Sequence, residues 1–305
     1  MGAGWVAGVT RAEAMAAGRA GPATARRLAA APGLPDALRT LAATPYRRRL
    51  DVEAGITEAQ RAVTETLLWQ LRVLAGWQPR PGSAAVRLLA SHFEIANTRG
   101  LLRAMEGAPQ PPPYRLGALS TVWPRLSRAR SPAELRAELA ASPWGDPGSE
   151  SPAAVITAMR WSAAARTAAN VPSAARWAAG EAALLWAREV FVTGRRPDTR
   201  HAVRLLGTAA VRSTAFGEFR AGLPAAAKWA LADVGTPADL WRAEARWWTT
   251  LEHDGLRLLH EARFDMTPVV GAVAVLSTDA WRVRAGLECA EQGGQALEAF
   301  DELLG

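Results

Sequence analysis

Residues 131–139 (SPAELRAEL) lead into Ser142-Pro143-Trp144, and this stretch carries the clearest signal for the fold. Ser131 can accept a hydrogen bond as a helix N-cap, and Pro132 suits the first helical position, where a missing N–H costs nothing. Glu134 then lies at the positive end of the helix dipole. The stretch therefore predicts a helix that begins at Pro132.

Two other stretches resemble it, which points to an internal repeat. Residues 34–41 (LPDALRTL) lead into residues 44–46 (TPY), and residues 236–242 (TPADLWR) open a third copy. Thr236 can cap its helix, whereas the first copy has only Leu34 in that place. A helical stretch that ends near a glycine closes each copy: residues 88–107, 205–222 and 275–294. The repeat predicts three similar helical units, residues 1–118, 119–224 and 225–305.

Composition favours an all-α fold for the 305-residue chain. Its 36 Lys and Arg residues are all Arg except Lys228, and only 2 residues are Tyr. Ala, Leu and Arg, which are abundant here, are good helix formers, while strand formers are scarce.

Apolar residues recur at helical spacing. In residues 56–74 the apolar face consists of Val63, Leu67, Leu71 and Leu74. In residues 240–259 it consists of Trp241, Ala245, Trp248, Leu251 and Leu258. The chain contains 13 Trp. We expect them to be the main large side chains of the core and not to form a cofactor-binding motif.

The net charge of +7 is scattered along the chain. The densest basic runs are residues 47–49 and Arg195-Arg196, followed by Arg200 and Arg204, and we expect them to be solvated loops or helix ends. A nucleic-acid binder would gather its charge in a stripe with aromatic residues between. The pattern therefore predicts no nucleic-acid partner.

Motifs of catalysis are missing from the sequence. It contains no Walker-type phosphate loop, no G-x-G-x-x-G and no G-x-S-x-G. His253 and His260 lie seven residues apart, near further possible metal ligands: Glu252, Asp254, Glu261 and Asp265. The main prediction is that the chain has no catalytic, cofactor or metal site, and a metal- or diphosphate-dependent enzyme that uses the 252–265 cluster is kept as an alternative.

Export and membrane insertion are not indicated. Residues 1–20 lack the apolar block of a signal peptide, and the single cysteine, Cys289, allows no intramolecular disulfide. The longest apolar run, residues 269–276 (VVGAVAVL), is shorter than the roughly 20 residues that a spanning helix needs. We expect a cytoplasmic location.

Four segments, taken together and in order, resemble a known family. They are residues 5–12 (WVAGVTRA), residues 27–46, residues 93–103 (FEIANTRGLLR) with residues 116–119 (LGAL), and residues 264–284 near the end of the chain. The family is the subunit of V-type and archaeal-type (A-type) rotary ATPases that is called C in prokaryotes and d in eukaryotes. Its motif of an acid, two further residues and Asn is matched by Glu94 and Asn97, whereas Ser213 and Arg282 stand at the other equivalent places.

The resemblance implies three helical-bundle units arranged as a funnel with pseudo-threefold symmetry. It implies a non-catalytic subunit of the central rotor, which couples the central stalk to the membrane c-ring and so links ATP hydrolysis or synthesis to H⁺ or Na⁺ transport. Such a subunit needs no cofactor and is attached to the membrane peripherally, through the ring.

Four arginines near the ends of the motif helices are candidate contacts with acidic groups of the stalk or ring: Arg99, Arg103, Arg282 and Arg284. The repeats alone fit a second reading equally well, a free-standing all-α scaffold that binds protein partners.

Overall fold

The computed structural model describes residues 3–293 and 297–304, and the regular secondary structure of these residues is entirely helical, which confirms the predicted all-α class. The α-helices in chain order are α1 (Ala3–Ala17), α2 (Pro22–Ala29), α3 (Leu34–Leu41), α4 (Ile56–Gly76), α5 (Arg80–Leu89), α6 (Ser91–Met105), α7 (Trp123–Leu126), α8 (Pro132–Ala140), α9 (Pro152–Asn170), α10 (Ala175–Ala187), α11 (Thr199–Arg212), α12 (Phe216–Gly222), α13 (Ala225–Lys228), α14 (Leu240–His260), α15 (Met266–Glu291) and α16 (Leu297–Leu304). Short 3₁₀ helices cover Pro45–Arg49, Gly117–Leu119, Pro172–Ala174, Trp229–Leu231 and Pro237–Asp239, and a π-helix covers Arg188–Val192.

The chain forms two compact units. The first combines Met1–Val86 with Trp248–Gly305, and the second is Arg87–Trp247. These units are defined by spatial contact, whereas the three predicted units are defined by sequence repeat. The predicted boundaries therefore stay a prediction, as do the funnel and its symmetry.

The first unit is built around α15, which packs against α1, α2, α3 and α4. The apolar run at residues 269–276 lies within this helix and is buried throughout. Val63, Leu67, Leu71 and Leu74 of α4 are buried as well, which confirms the predicted apolar face of that helix. Among the described helices, none combines the length and the hydropathy that crossing a membrane requires.

The second unit is built around α10, whose neighbours include α9, α11 and α13. Trp161 and Trp186 meet edge to face in its core, with ring centroids 6.1 Å apart. Trp therefore does fill this core, as predicted. The prediction is wrong for Trp241, which is 45% exposed at the start of α14 and has the Arg242 guanidinium over its ring.

The second and third of the repeated helix starts have the predicted N-cap residues. Ser131 Oγ accepts a hydrogen bond from Glu134 N at 3.2 Å, so α8 begins as expected. Thr236 is the N-cap of the third start, where the Asp239 carboxylate accepts from its hydroxyl at 2.9 Å and from its N–H at 3.3 Å. The first start, α3, follows Gly33, which has no side chain to cap it.

The first two copies also end in the same turn. Thr44 Oγ1 donates to Leu41 O at 2.6 Å and accepts from Tyr46 N at 3.2 Å. Ser142 Oγ donates to Leu139 O at 2.7 Å and accepts from Trp144 N at 3.1 Å. The turn buries the aromatic residue after the proline in both cases. The third copy leads instead into α14, which continues to His260.

Within the first unit, α14 and α15 cross at two glycines. A Cβ on Gly271 would lie 2.6 Å from Gly255 O and 3.1 Å from Leu258 Cβ, and a Cβ on Gly255 would lie 2.9 Å from Ala274 Cβ. The first of these neighbours is backbone, which cannot move aside without shifting a helix. Close contact between these helices therefore depends on the missing side chains.

We expect Gly271→Ala to lower the free energy of unfolding by about 1–3 kcal/mol, because it overpacks the crossing. Gly76→Ala is the matched control, since a Cβ there meets nothing within 4 Å. The control gains up to about 1 kcal/mol from helix propensity. Chemical denaturation of both variants measures the effect, and equal stability would show that the crossing tolerates a methyl group.

Glu181 is a carboxylate within the packing of α10. Burial raises the pKa of Glu181 above its ordinary value, while the charge of Arg160 acts in the opposite direction. Because the folded state holds this proton more tightly, the free energy of unfolding falls as pH rises from the ordinary pKa to the folded pKa.

Glu181→Gln removes this penalty and is expected to raise the free energy of unfolding at neutral pH. The gain should disappear at a pH below the ordinary range of a glutamate, where both side chains are uncharged. Denaturation curves over a pH series test this. A gain that does not change with pH would mean that ionisation of Glu181 is not its source.

Candidate interaction surface

The acid of the family-like motif, Glu94 on α6, is buried and holds a loop. Its side chain accepts hydrogen bonds from Thr121 N at 2.6 Å and from Val122 N at 2.7 Å. Glu94 is only 1% exposed, so these backbone donors take the place of water at its carboxylate. They fix the entry into α7, which begins at the next residue.

Asn97, one turn further along α6, holds a second loop segment. Its amide nitrogen donates to Tyr114 O at 2.9 Å, and its amide oxygen accepts from Tyr114 N at 2.7 Å. Both polar groups of one backbone residue are thus satisfied by one side chain. The motif residues Glu94 and Asn97 therefore serve to fix loops on α6.

Asp279 on α15 does in the first unit what Glu94 does in the second. It accepts from Ala20 N at 3.1 Å, Gly21 N at 2.7 Å and Tyr46 Oη at 2.9 Å. Burial raises the pKa of Asp279 above its ordinary value, although these hydrogen bonds lower it. Burial also raises the pKa of Tyr46, and the Asp279 charge adds to that rise. Gly21 precedes α2, so this carboxylate too fixes the entry into a helix.

Arg282 is not the exposed contact that the sequence suggests. It is 4% exposed and forms a buried ion pair with Glu252 of α14. The helical period places it on the face of α15 that turns inward, one turn after Asp279. Arg282 therefore joins α14 and α15 inside the first unit, and its predicted exposure is wrong.

Arg99 and Arg103 lie exposed on α6, as predicted, and Arg284 is exposed on α15. Arg284 donates to Gln60 Oε1 at 3.3 Å. The side chain of Arg99 is partly buried, which lowers its pKa, and the nearby positive charge of Arg160 on α9 lowers that pKa further.

We call Arg99, Arg103 and Arg160 the α6–α9 arginines. In the part of the chain that the structure describes, these three make no hydrogen bond or ion pair. Arg160 was missed because it reaches Arg99 only through the packing of α9 on α6. Three guanidinium groups that make no ion pair within the described residues, with the Glu181 carboxylate acting on Arg160 alone, leave a local surplus of positive charge that suits an acidic partner.

At least three of the six possible metal ligands at residues 252–265 are engaged in other contacts. Glu252 is bound to Arg282, and Asp265 caps α15 by accepting from Thr267 N at 2.8 Å. His260 Nδ1 donates to Leu256 O at 2.7 Å. Over residues 3–293 and 297–304, no three His, Cys, Asp or Glu side chains are grouped so that they could hold a metal ion.

A cavity of about 250 Å³ in the second unit is lined by Gly217, Arg220, Ala221, Lys228, Leu231 and Ala232. Arg220 is committed to the fold, since it donates to Leu231 O at 3.1 Å and to Ala232 O at 2.9 Å. Lys228 is the remaining charged residue of this lining, so the cavity does not bring together an acid and a base.

Comparison with known proteins adds no family assignment: no protein-family model matches the sequence, and no curated protein matches it either.

The ion pair with Glu252 predicts that Arg282 stabilises the fold and does not contact a partner. We expect Arg282→Met to lower the free energy of unfolding by about 3–5 kcal/mol, because it leaves Glu252 buried without its partner. Glu252→Gln/Arg282→Met should cost less than the single substitution. Thermal and chemical denaturation test this, with Arg284→Met as the exposed control, which should change stability little. A double variant less stable than Arg282→Met would contradict the pairing.

Proposed function

We propose that this chain is a non-catalytic central-rotor subunit of a V-type or A-type ATPase. It couples the central stalk to the membrane c-ring, so that ATP hydrolysis or synthesis is linked to the transport of H⁺ or Na⁺. In this proposal the protein is cytoplasmic and attached to the membrane peripherally through the ring.

The observation that carries the proposal is the shared role of Glu94 and Asp279. Both lie in segments on which the resemblance to the rotor subunit rests, and each holds two successive backbone N–H groups at the entry of another helix. The two residues lie in different units. Repetition of one local device in both units supports a chain built from related helical modules.

The packing also suits a part that transmits torque. A coupler must resist deformation under load, and close helix contacts make a stiff body. The glycine crossing of α14 and α15 and the buried pair of Glu252 with Arg282 fasten the same two helices. Tyr46 bound to Asp279 fastens the repeated turn at residues 44–46 onto α15.

The exposed arginines are the proposed contacts with the stalk or the ring. The α6–α9 arginines would pair with carboxylates of a partner subunit, and Arg284 would add a contact from α15. Arg282 instead positions α15 from within. The subunit acts in this proposal through shape and stiffness, and the chemistry of ATP belongs to other subunits of the complex.

Purification of the tagged protein from detergent-solubilised membranes of its own host, followed by mass spectrometry, tests this function. We expect stalk and c-ring subunits to be recovered with it. Recovery of soluble proteins alone, with ATPase subunits detected in the same lysate, would overturn the proposal and favour the free-standing scaffold.

A charge-reversed variant tests the contacts in the same experiment. Arg99→Glu/Arg103→Glu places like charges opposite an acidic partner, so we expect at least about tenfold lower recovery of the ATPase subunits. Arg72→Glu/Arg128→Glu is the matched control, with the same change in net charge at two exposed positions. Equal recovery of the ATPase subunits with both variants would show that α6 is not part of the interface. It would still support assembly of the protein with these subunits.

A further inference from the structure

A second charged surface lies far along the sequence from the α6–α9 arginines. We call it the 192–204 surface. Its exposed members are Val192, Arg195, Arg196, Arg200, Val203 and Arg204. Val192 is 57% exposed and Val203 is 37% exposed, so aliphatic side chains stand among the cations. The segment runs from the end of the π-helix through a loop into the first turns of α11.

The two acids in this region neutralise only part of the surface, since Glu189 is paired with Arg195 and Asp198 only approaches Arg200. Glu189 is buried, and its carboxylate accepts from Arg195 Nε at 3.1 Å and from Arg195 Nη2 at 3.4 Å. Asp198 caps α11 by accepting from Arg200 N at 2.8 Å, and its nearest guanidinium contact, with Arg200, is 4.0 Å long. Arg196 and Arg204 make no ion pair or hydrogen bond to any residue within the described ranges.

His201 shows that several of these charges act at one place. Burial lowers the pKa of His201, Asp198 raises it, and the charges of Arg200 and Arg204 lower it further. Arg200 and Arg204 are one turn apart on α11, so their side chains extend from the same face. The positive charge is therefore concentrated and does not alternate with acids along the helix.

The loop is firmly attached at its base. Glu189 O accepts from Thr193 Oγ1 at 2.7 Å and from Arg195 N at 2.8 Å, which closes the π-helix. Phe191 packs against Phe216 and Phe219 with ring centroids 5.5 Å away in both cases. Anchoring of Phe191 leaves the next residue, Val192, turned outward. Exposure of this valine thus follows from the fold around it.

We propose that the 192–204 surface contacts an anionic lipid bilayer. Arg side chains attract anionic headgroups, and exposed aliphatic residues beside them gain by entering the interface. These groups lie on an exposed loop and on one helix face, which suits the dispersed charge of a membrane plane. This inference goes beyond the proposed rotor function and does not require it, because the contact is with lipid and not with another subunit.

Sedimentation of the purified full-length protein with lipid vesicles tests the proposal. We expect binding to vesicles of equal parts phosphatidylglycerol and phosphatidylcholine and little binding to phosphatidylcholine alone. Salt near 1 M, where the Debye length is about 3 Å, should release most of the protein. Absence of binding to the anionic vesicles at low salt would overturn the proposal.

Charge reversal locates the contact. Arg196→Glu/Arg204→Glu should weaken binding to the anionic vesicles roughly tenfold or more, since each basic residue near the surface contributes to attraction. Arg72→Glu/Arg128→Glu, with the same net charge, should bind more tightly than that variant. Equal loss in both pairs would show that net charge alone causes binding and would overturn the assignment to residues 192–204. Helical circular dichroism and melting of each variant establish that it is folded.

A label gives a readout that does not depend on affinity. Cys289, the one native cysteine, is buried, so Val192→Cys provides an accessible thiol for an environment-sensitive dye. We expect its emission to shift to the blue on anionic vesicles, and a dye at Arg72→Cys to change little. If the emission of the dye at position 192 does not change on vesicles that bind the protein, another surface makes the contact.

Discussion

Each unit of this protein has a buried carboxylate that fixes the loop leading into a helix. Glu94 and Asp279 each accept two successive backbone N–H groups, and an unpaired donor at such a place would be costly. A carboxylate suits this role because its two oxygens can accept from both N–H groups at once. The carboxylates set where α7 and α2 begin. Other features follow from this placement: Tyr46 is bound to one of them, and Asn97 acts beside the other on the same helix.

Much of the helical architecture could be predicted from the sequence because its signals are local. Ser131 and Thr236 cap helices by contacts within three residues, and Val63, Leu67, Leu71 and Leu74 share a face by helical period alone. The exposed state of Arg195 and Arg196 was also predicted, because the positive charge is scattered along the sequence in short runs. Arg282 could not be predicted in the same way. Its burial depends on Glu252, which lies 30 residues away on another helix, and a single sequence does not show that pairing.

The candidate surfaces show the same division between local and tertiary information. Arg99 and Arg103 are visible in the sequence as one helix face, but Arg160 joins them only because α9 packs on α6. At residues 192–204 the sequence shows the arginines, whereas the exposure of Val192 depends on Phe191 being held by two other rings. The burial of Arg282 and the exposure of Val192 both result from tertiary packing. Packing therefore decides which of the arginines are accessible to a partner.

The division of the first unit between the two ends of the chain has a consequence for biosynthesis. Helix α15 packs on α1, α2, α3 and α4, yet the ribosome makes it after the whole of the second unit, Arg87–Trp247. The apolar faces of the early helices must therefore wait for their central partner while most of the chain is synthesised, during which exposed apolar surface favours aggregation. The second unit is continuous in sequence and has its own central helix, α10, so it can complete its core first. The order of synthesis thus allows the second unit to fold before the first unit has received its central helix.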